Sequence, residues 1–202
     1  MILEYGQWYR KHGDDYKSVG WNKPKHEIRF SALIKNWREL SKSKASNRQK
    51  YQILDLGCGL AHLNDYLIKK NINVEYTGLD INNQFIEINS KKFPNQNFMV
   101  GAADGVIPSH DFIFASGLFN RKFSDSEKFF RNTVKNIIEA SRIGCSFNCL
   151  STIARKKYVG NYYISMEQIE AILDRDLIEY FNIDGESIPG EVTVHIKKVA
   201  MK

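Results

Sequence analysis

The sequence predicts an α/β chain: a sheet wound on both faces by helices, parallel through five strands and finished by a hairpin. Three observations carry this. From residue 51 to residue 152, short apolar runs alternate with longer amphipathic stretches, the pattern of strand and crossover helix. The first run leads through a glycine turn, Gly57-Cys58-Gly59, straight into an amphipathic segment at residues 60–70. The last two runs, residues 177–183 and 191–199, alternate polar and apolar residues. Asp184-Gly185-Glu186 and Pro189-Gly190 join them tightly enough to force an antiparallel pair.

A chain of 202 residues is a comfortable single domain, able to bury roughly 70% of its unfolded surface. It divides into an N-terminal helical cap, residues 1–42, and a core, residues 51–202. Hydrophobic residues at 43% and aromatic ones at 12% argue for a packed core and exclude disorder. No apolar run approaches the ~20 residues that span a bilayer, and Met1-Ile2-Leu3-Glu4-Tyr5 lacks the basic then apolar order of a secretion signal. Three cysteines suit neither a disulfide framework nor a zinc knuckle, so the expected location is the cytoplasm. The net charge of +6 invites nucleic acid as a partner. The cations are dispersed, however, and the clusters at residues 42–50 and at Arg155-Lys156-Lys157 read as solvated loops.

Taken in order, residues 1–22 are rich in aromatics (Tyr5, Trp8, Tyr9, Tyr16, Trp21), and Gly13 and Gly20 interrupt any long helix. Such a segment can pack on the sheet edge, or close as a lid that excludes water from a reacting centre. Pro24 suits the first turn of a helix reaching about Ser41, with Ile28, Leu33, Ile34, Trp37 and Leu40 mostly on one face. Residues 41–50 then connect to the first strand. A second strand, residues 74–79, ends in Asp80; a helix over residues 82–92 stops at Phe93-Pro94. Residues 97–100 and 110–116 make the third and fourth strands. Ser124 and Asp125 are candidate caps for the next helix, and residues 143–152 make the fifth strand. Ser165-Met166-Glu167-Gln168 is a capping box.

The glycine turn is where ligand chemistry concentrates. It sits at the carboxyl end of a strand, opens a helix whose first N–H groups lack partners, and lets backbone approach a ligand closely. A dinucleotide fingerprint needs a third glycine where His62 stands. Asp55, two residues before Gly57, would repel a pyrophosphate but suits a ligand with an amino group and a sulfonium. Asp80, 21 residues past Gly59, is placed to accept both ribose hydroxyls, with Ile81 beside it to pack on an adenine.

The stretch Asp55-Leu56-Gly57-Cys58-Gly59-Leu60-Ala61 resembles motif I of the class I S-adenosylmethionine-dependent methyltransferases, with Ala61 in place of the usual third glycine. Ala103-Asp104 matches the family's acid near the adenine amino group. Asp111-Phe112-Ile113-Phe114-Ala115-Ser116-Gly117 resembles its motif IV, beside the methyl group. The resemblance implies a Rossmann-like, seven-stranded sheet with one antiparallel C-terminal strand, and S-adenosyl-L-methionine as cofactor, leaving as S-adenosyl-L-homocysteine. Val19-Gly20-Trp21 followed by Arg29-Phe30 is similar to a subgroup of small bacterial enzymes of surface-polysaccharide and small-molecule pathways, which tend to have Gln where His26 stands.

That likeness implies cofactor contacts at Trp21, Arg29, Asp55, Gly57, Gly59, Asp80, Ile81, Ala103, Asp104 and Ser116. Arg29 would grip the methionine carboxylate with its planar fork, or else form an ion pair. The expected acceptor is an oxygen or nitrogen of a small molecule, such as a sugar or nucleotide-linked intermediate. Should it need a base, His12 leads, with Tyr9 beside it in the cap, Asn120 at the fourth-strand corner, and Glu191 or His195 in the last strand. His62 and His110 read as structural. No cluster has metal-ligand spacing, so no metal is expected. Two other readings stay open: an RNA methyltransferase, and a partner protein that binds the cofactor without turnover. Ser116-Gly117-Leu118-Phe119 is neither an Asn-Pro-Pro-Tyr-like tetrapeptide nor a cysteine site, which counts against base methylation.

Overall fold

A computed structural model describes residues 2–20, 23–35, 37 and 50–199. Helix α1 (Ile2–His12) ends at Gly13, which takes the left-handed φ of 61° that stops a helix. A 3-10 turn, Tyr16–Val19, is capped by the Asp15 side chain and closed by Gly20 at φ 81°. Helix α2 (Lys23–Leu33) follows, with helical residues continuing toward Trp37. The expected end at Ser41, Leu40 and most of the 41–50 connector lie outside the described residues.

Strands and helices then alternate, except that a loop alone joins β3 to β4: β1 (Tyr51–Leu56), α3 (His62–Lys69), β2 (Val74–Asp80), α4 (Asn83–Lys92), β3 (Asn97–Val100), β4 (His110–Ala115), α5 (Ser126–Ala140) and β5 (Ser141–Ser151). A two-residue strand β6 (Tyr163–Ile164), helix α6 (Met166–Glu170), β7 (Ile178–Asp184) and β8 (Glu191–Lys198) complete the order. The sheet runs β3-β2-β1-β4-β5-β8-β7, with β6 paired to β5. Every pairing is parallel except those of β8, which lies antiparallel between β5 and β7. The predicted topology holds, with β6 as an eighth strand too short to show periodicity.

The period-two alternation of side chains divides the core. Leu54, Leu56, Ile113, Ala115, Cys145 and Phe147 point to the face covered by α5. Ile53, Phe112 and Phe114 point to the other, where α2 and α3 supply Phe30, Leu33, Leu63 and Leu67. Strand β4 is buried along its whole length, as a central parallel strand should be. Gly144 leaves room for the neighbouring strand: a Cβ there would stand 2.4 Å from the Ile196 carbonyl oxygen of β8.

Local chemistry sets the element ends, and some depart from expectation. Asp125 occupies the N-cap of α5 without a side-chain bond, and Ser126 Oγ instead accepts from the Phe123 N–H at 2.8 Å. The capping box at Ser165 and Gln168 forms as read. Helix α3 starts two residues late because Ala61 is left-handed, φ 55°.

Candidate active site

One cavity opens at the carboxyl ends of β1, β2 and β4, where open α/β sheets gather ligands. Its floor is the turn after β1. Gly57 and Cys58 donate their N–H groups to the Leu79 carbonyl at 2.8 and 3.1 Å, folding the turn over the end of β2. Gly57 has φ 75°, and a Cβ on it would stand 2.8 Å from Leu118 Cδ1. Glycine is required there twice over, for conformation and for space.

Asp80 is clamped by backbone. The Gly59 N–H donates to Oδ2 and the Asn82 N–H to Oδ1, each at 2.8 Å. A carboxylate offers about four lone-pair sites, so these donors leave capacity for a ligand facing the cavity. Burial raises its pKa, and the backbone donors oppose that. Asp55 is buried, and burial pushes its carboxyl up to about 7, although the Tyr76 hydroxyl donates to it at 2.6 Å. Near neutral pH it is poised between protonation states.

The other expected cofactor residues Gly59, Ile81, Ala103, Asp104 and Ser116 also line this cavity. Ile81 is half exposed at its mouth. Ser116 Oγ accepts from Asn148 Nδ2 at 3.3 Å, and Asn148 Oδ1 takes the Gly117 N–H at 2.7 Å. This fully buried asparagine on β5 fixes the corner after β4.

The N-terminal segment contributes to the wall through residues other than those expected. Val19, His26 and Phe30 line the cavity, together with His62 at the start of α3. Tyr16 stacks on His62 with ring centroids 4.3 Å apart and lies 4.7 Å from His26. Burial lowers His26 to about 3 and lowers His62 too, against the pull of Asp14, so both imidazoles are neutral at pH 7. A sequence signal for His62 was available, since it stands where a dinucleotide turn would have glycine.

Arg29 and Glu191 do not line the cavity. They meet each other: Arg29 Nε donates to Glu191 Oε2 at 2.6 Å, and the second guanidinium nitrogen bonds Oε1. Both are buried. A buried charge needs a partner, and the fork expected to hold a cofactor carboxylate holds this one, which engages the expected base as well. Tyr9 packs its ring against Phe85, a wall residue, at 6.1 Å, and remains behind the wall. His12 ends α1, half-buried and away from the lining, and Asn120 is buried with its carbonyl taking the Tyr162 N–H. His195 Nδ1 pairs with Ser146 Oγ at 2.9 Å, and burial lowers it to about 4. Trp21 lies outside the described residues. Among the described residues, no group of three or more His, Cys, Asp or Glu could hold a metal ion.

Comparison with known proteins agrees with this geometry. A family model described as a methyltransferase domain matches residues 54–138, from β1 through most of α5. A candidate methyltransferase of Mycobacterium tuberculosis is 33% identical over 109 residues, which is 50% of this chain and 64% of that one. The chain thus spans just under two thirds of that relative. Among solved structures, the magnesium protoporphyrin IX methyltransferase of Synechocystis PCC 6803 with bound S-adenosylhomocysteine superposes with TM-score 0.65 at 14% identity, covering 98% of this chain and 95% of that one. The plantazolicin methyltransferase, in complex with a triazolic desmethylPZN analog and S-adenosylhomocysteine, gives 0.64 at 16% identity with the same coverage. A methyltransferase-domain model thus matches residues 54–138, and these solved methyltransferases share the fold of the chain.

Proposed function

We propose that the chain binds S-adenosylmethionine in this cavity and transfers its methyl group to an oxygen or nitrogen of a small molecule. The observation that carries the reading is the clamped Asp80. Backbone donors from the glycine turn and from the start of α4 hold the carboxylate where a ribose would lie across the end of β2. Asp55 beneath the turn suits a cation, and Ile81 with Ala103 offers apolar surface to an adenine, which Asp104 can reach at its edge. When bound, the cofactor supplies an activated methyl group on a sulfonium. The protein then has to align the acceptor and exclude water, and alignment is worth up to roughly 7–11 kcal/mol. His12, Tyr9, Asn120 and Glu191 stand away from the cavity wall, so the proposed chemistry rests on alignment rather than on a base among them.

The fold hosts varied acceptors, as the porphyrin and plantazolicin enzymes illustrate by name. We favour a soluble acceptor, such as a sugar or nucleotide-linked intermediate, methylated in the cytoplasm. No helix among the described residues is long and apolar enough to cross a membrane.

Calorimetric titration of S-adenosylmethionine into wild type and Asp80→Ala tests the reading. Losing charge-assisted bonds worth about 1.5–3 kcal/mol each should weaken binding more than tenfold. Equal affinities would overturn the assignment, and tighter binding of NAD would replace it.

A further inference from the structure

We propose that the chain docks on an anionic lipid surface through the loop between β5 and β6, with the corner after β4 beside it. This surface goes beyond methyl transfer and does not depend on it. The loop mixes two kinds of residue that water alone does not call for together. Residues 151–165 carry Arg155, Lys156 and Lys157 and no aspartate or glutamate. All three cations are exposed, and no carboxylate among the described residues pairs with any of them. Around them stand exposed apolar side chains: Val159 is 99% and Ile153 70% accessible, and Tyr158 is more than half so. A solvated loop explains the charge but leaves this apolar surface in water.

Backbone links hold the loop to the core. Arg121 and Asn161 form an antiparallel bridge, and the Lys122 N–H donates to the Gly160 carbonyl at 3.0 Å. The residues next to that bond, Phe123 on one segment and Val159 on the other, are thereby brought together, and both are exposed. Lys122, exposed too, adds a fourth cation. The tip closes with the Asn161 N–H on the Tyr158 carbonyl at 3.0 Å and the Tyr158 N–H on Tyr163 Oη at 2.8 Å. The Lys156 and Lys157 ammonium groups lie 5.1 and 5.9 Å from the centres of the Tyr158 and Tyr163 rings. Lysines beside tyrosines, each with an apolar body and a polar tip, suit the depth of lipid headgroups. With its shape fixed in advance, the loop loses little freedom on docking.

The acids next along the chain are Asp125 and Glu127, at the start of α5. Asp125 takes the Ser124 hydroxyl at 3.3 Å, and Glu127 pairs with Arg131 at 3.1 Å. The patch therefore stays positive, on a chain whose net charge is +6. Anionic headgroups meet the four cations, and the acyl boundary beneath them takes Val159 and Phe123, so a lipid surface satisfies both kinds of residue at once. A nucleic acid would pair the cations along an extended groove and leave the apolar tip wet. A protein partner would need a pocket shaped to the protruding turn at Val159, whereas a fluid interface takes such a turn without one. Phe123 also lines the cavity, so a chain docked this way holds its cavity beside the lipid surface.

Sedimentation of the full chain with vesicles of phosphatidylcholine containing roughly a third phosphatidylglycerol, at physiological salt, is the test. Wild type should pellet with these vesicles and bind pure phosphatidylcholine at least tenfold more weakly. The triple variant Arg155→Gln, Lys156→Gln, Lys157→Gln should lose at least tenfold in affinity for the anionic vesicles, and Val159→Ser several-fold. Both variants are confined to an exposed loop, and their melting temperatures should match wild type. Should the triple variant fail to fold, Val159→Ser decides alone. No binding to the anionic vesicles, or affinities unchanged in the variants, would overturn the proposal. So would a loss in the triple variant with Val159→Ser unchanged, which marks plain charge adhesion, or a structured RNA bound more tightly than the vesicles. The assay contains no S-adenosylmethionine, so this proposal and the methyl-transfer reading can each fail while the other stands.

Discussion

Arg29 and Glu191, separated by 162 residues in the chain, form a two-pronged ion pair that bolts α2 onto the last strand of the sheet. Both side chains are nearly inaccessible, at 3% and 7% exposure, so each is the other's compensation for lost water. Arg29→Met alone should therefore cost about 3–5 kcal/mol, because it leaves an unpaired carboxylate buried. Adding Glu191→Leu should restore most of the loss. Urea denaturation of wild type, both single variants and the double variant checks this as a cycle. A base at Glu191 would behave differently: Glu191→Gln would stop turnover while the unfolding midpoint stayed in place.

Asp55 makes cofactor binding depend on pH. Its pKa in the folded chain is about 7, raised from 3.8 chiefly by burial. Below pH 7 it is mostly neutral and above it mostly anionic, so attraction for a bound cation grows as pH rises through 7. S-adenosylmethionine carries a sulfonium that S-adenosylhomocysteine lacks, and the ratio of their affinities cancels every other shared group. That ratio should climb toward the sulfonium form between pH 6 and pH 8, by up to about tenfold, and Asp55→Asn should flatten it. Stability moves the opposite way. A carboxyl raised on folding makes the unfolded chain the weaker proton binder, so the ligand-free protein loses stability as pH climbs from about 4 to 7. Asp55→Asn should remove that loss, as thermal melts across the same pH range would register.

The sheet was legible because its signals are local and repeated. The strands carry apolar runs, the crossovers after β1, β2 and β4 carry amphipathic stretches, and the Asp55–Gly59 turn and Asp80 fall at strand ends whatever the details. The residues facing the cavity from α2 were not legible in the same way. His26, Arg29 and Phe30 lie on one short helix, yet His26 and Phe30 line the cavity while Arg29 reaches β8. A helix sequence gives a face but not what that face meets. Likewise, Arg121 and Asn161 become neighbours only through backbone links between segments about 40 residues apart.

Gly57 and Gly13 share left-handed backbone but differ in surroundings, which separates strain from site damage. An added methyl group at Gly13, φ 61°, meets nothing within 4 Å, whereas at Gly57, φ 75°, it meets Leu118 at 2.8 Å. Gly13→Ala should cost roughly 1–2 kcal/mol of stability and leave cofactor affinity intact. Gly57→Ala should add the displacement of a wall residue, and affinity should fall at least tenfold. Equal affinities in the two variants would mean that the turn is structural only.

The N-terminal segment reaches the cavity through Val19, the last residue of its 3-10 turn. Val19 Cγ1 lies 3.1 Å from where a Cβ on Gly59 would stand, so this side chain rests directly on the glycine turn. Tyr16 meets both His26 and His62, and Ser18 Oγ donates to the Gly13 carbonyl at 2.6 Å, holding the turn against the end of α1. Every strand among the described residues lies beyond residue 50, so a chain lacking residues 1–20 should still fold, with a modest fall in melting temperature. It should nonetheless bind S-adenosylmethionine at least tenfold more weakly, since the turn loses its cover and the two imidazoles lose their stacking partner. His12→Ala, by contrast, should stay within about twofold of wild type in affinity and turnover, its side chain being away from the lining. Val19→Gly guards the inference against a truncation that fails to fold, because it opens the same wall at one residue. If neither change alters affinity, the segment is packing on the sheet edge and closes nothing.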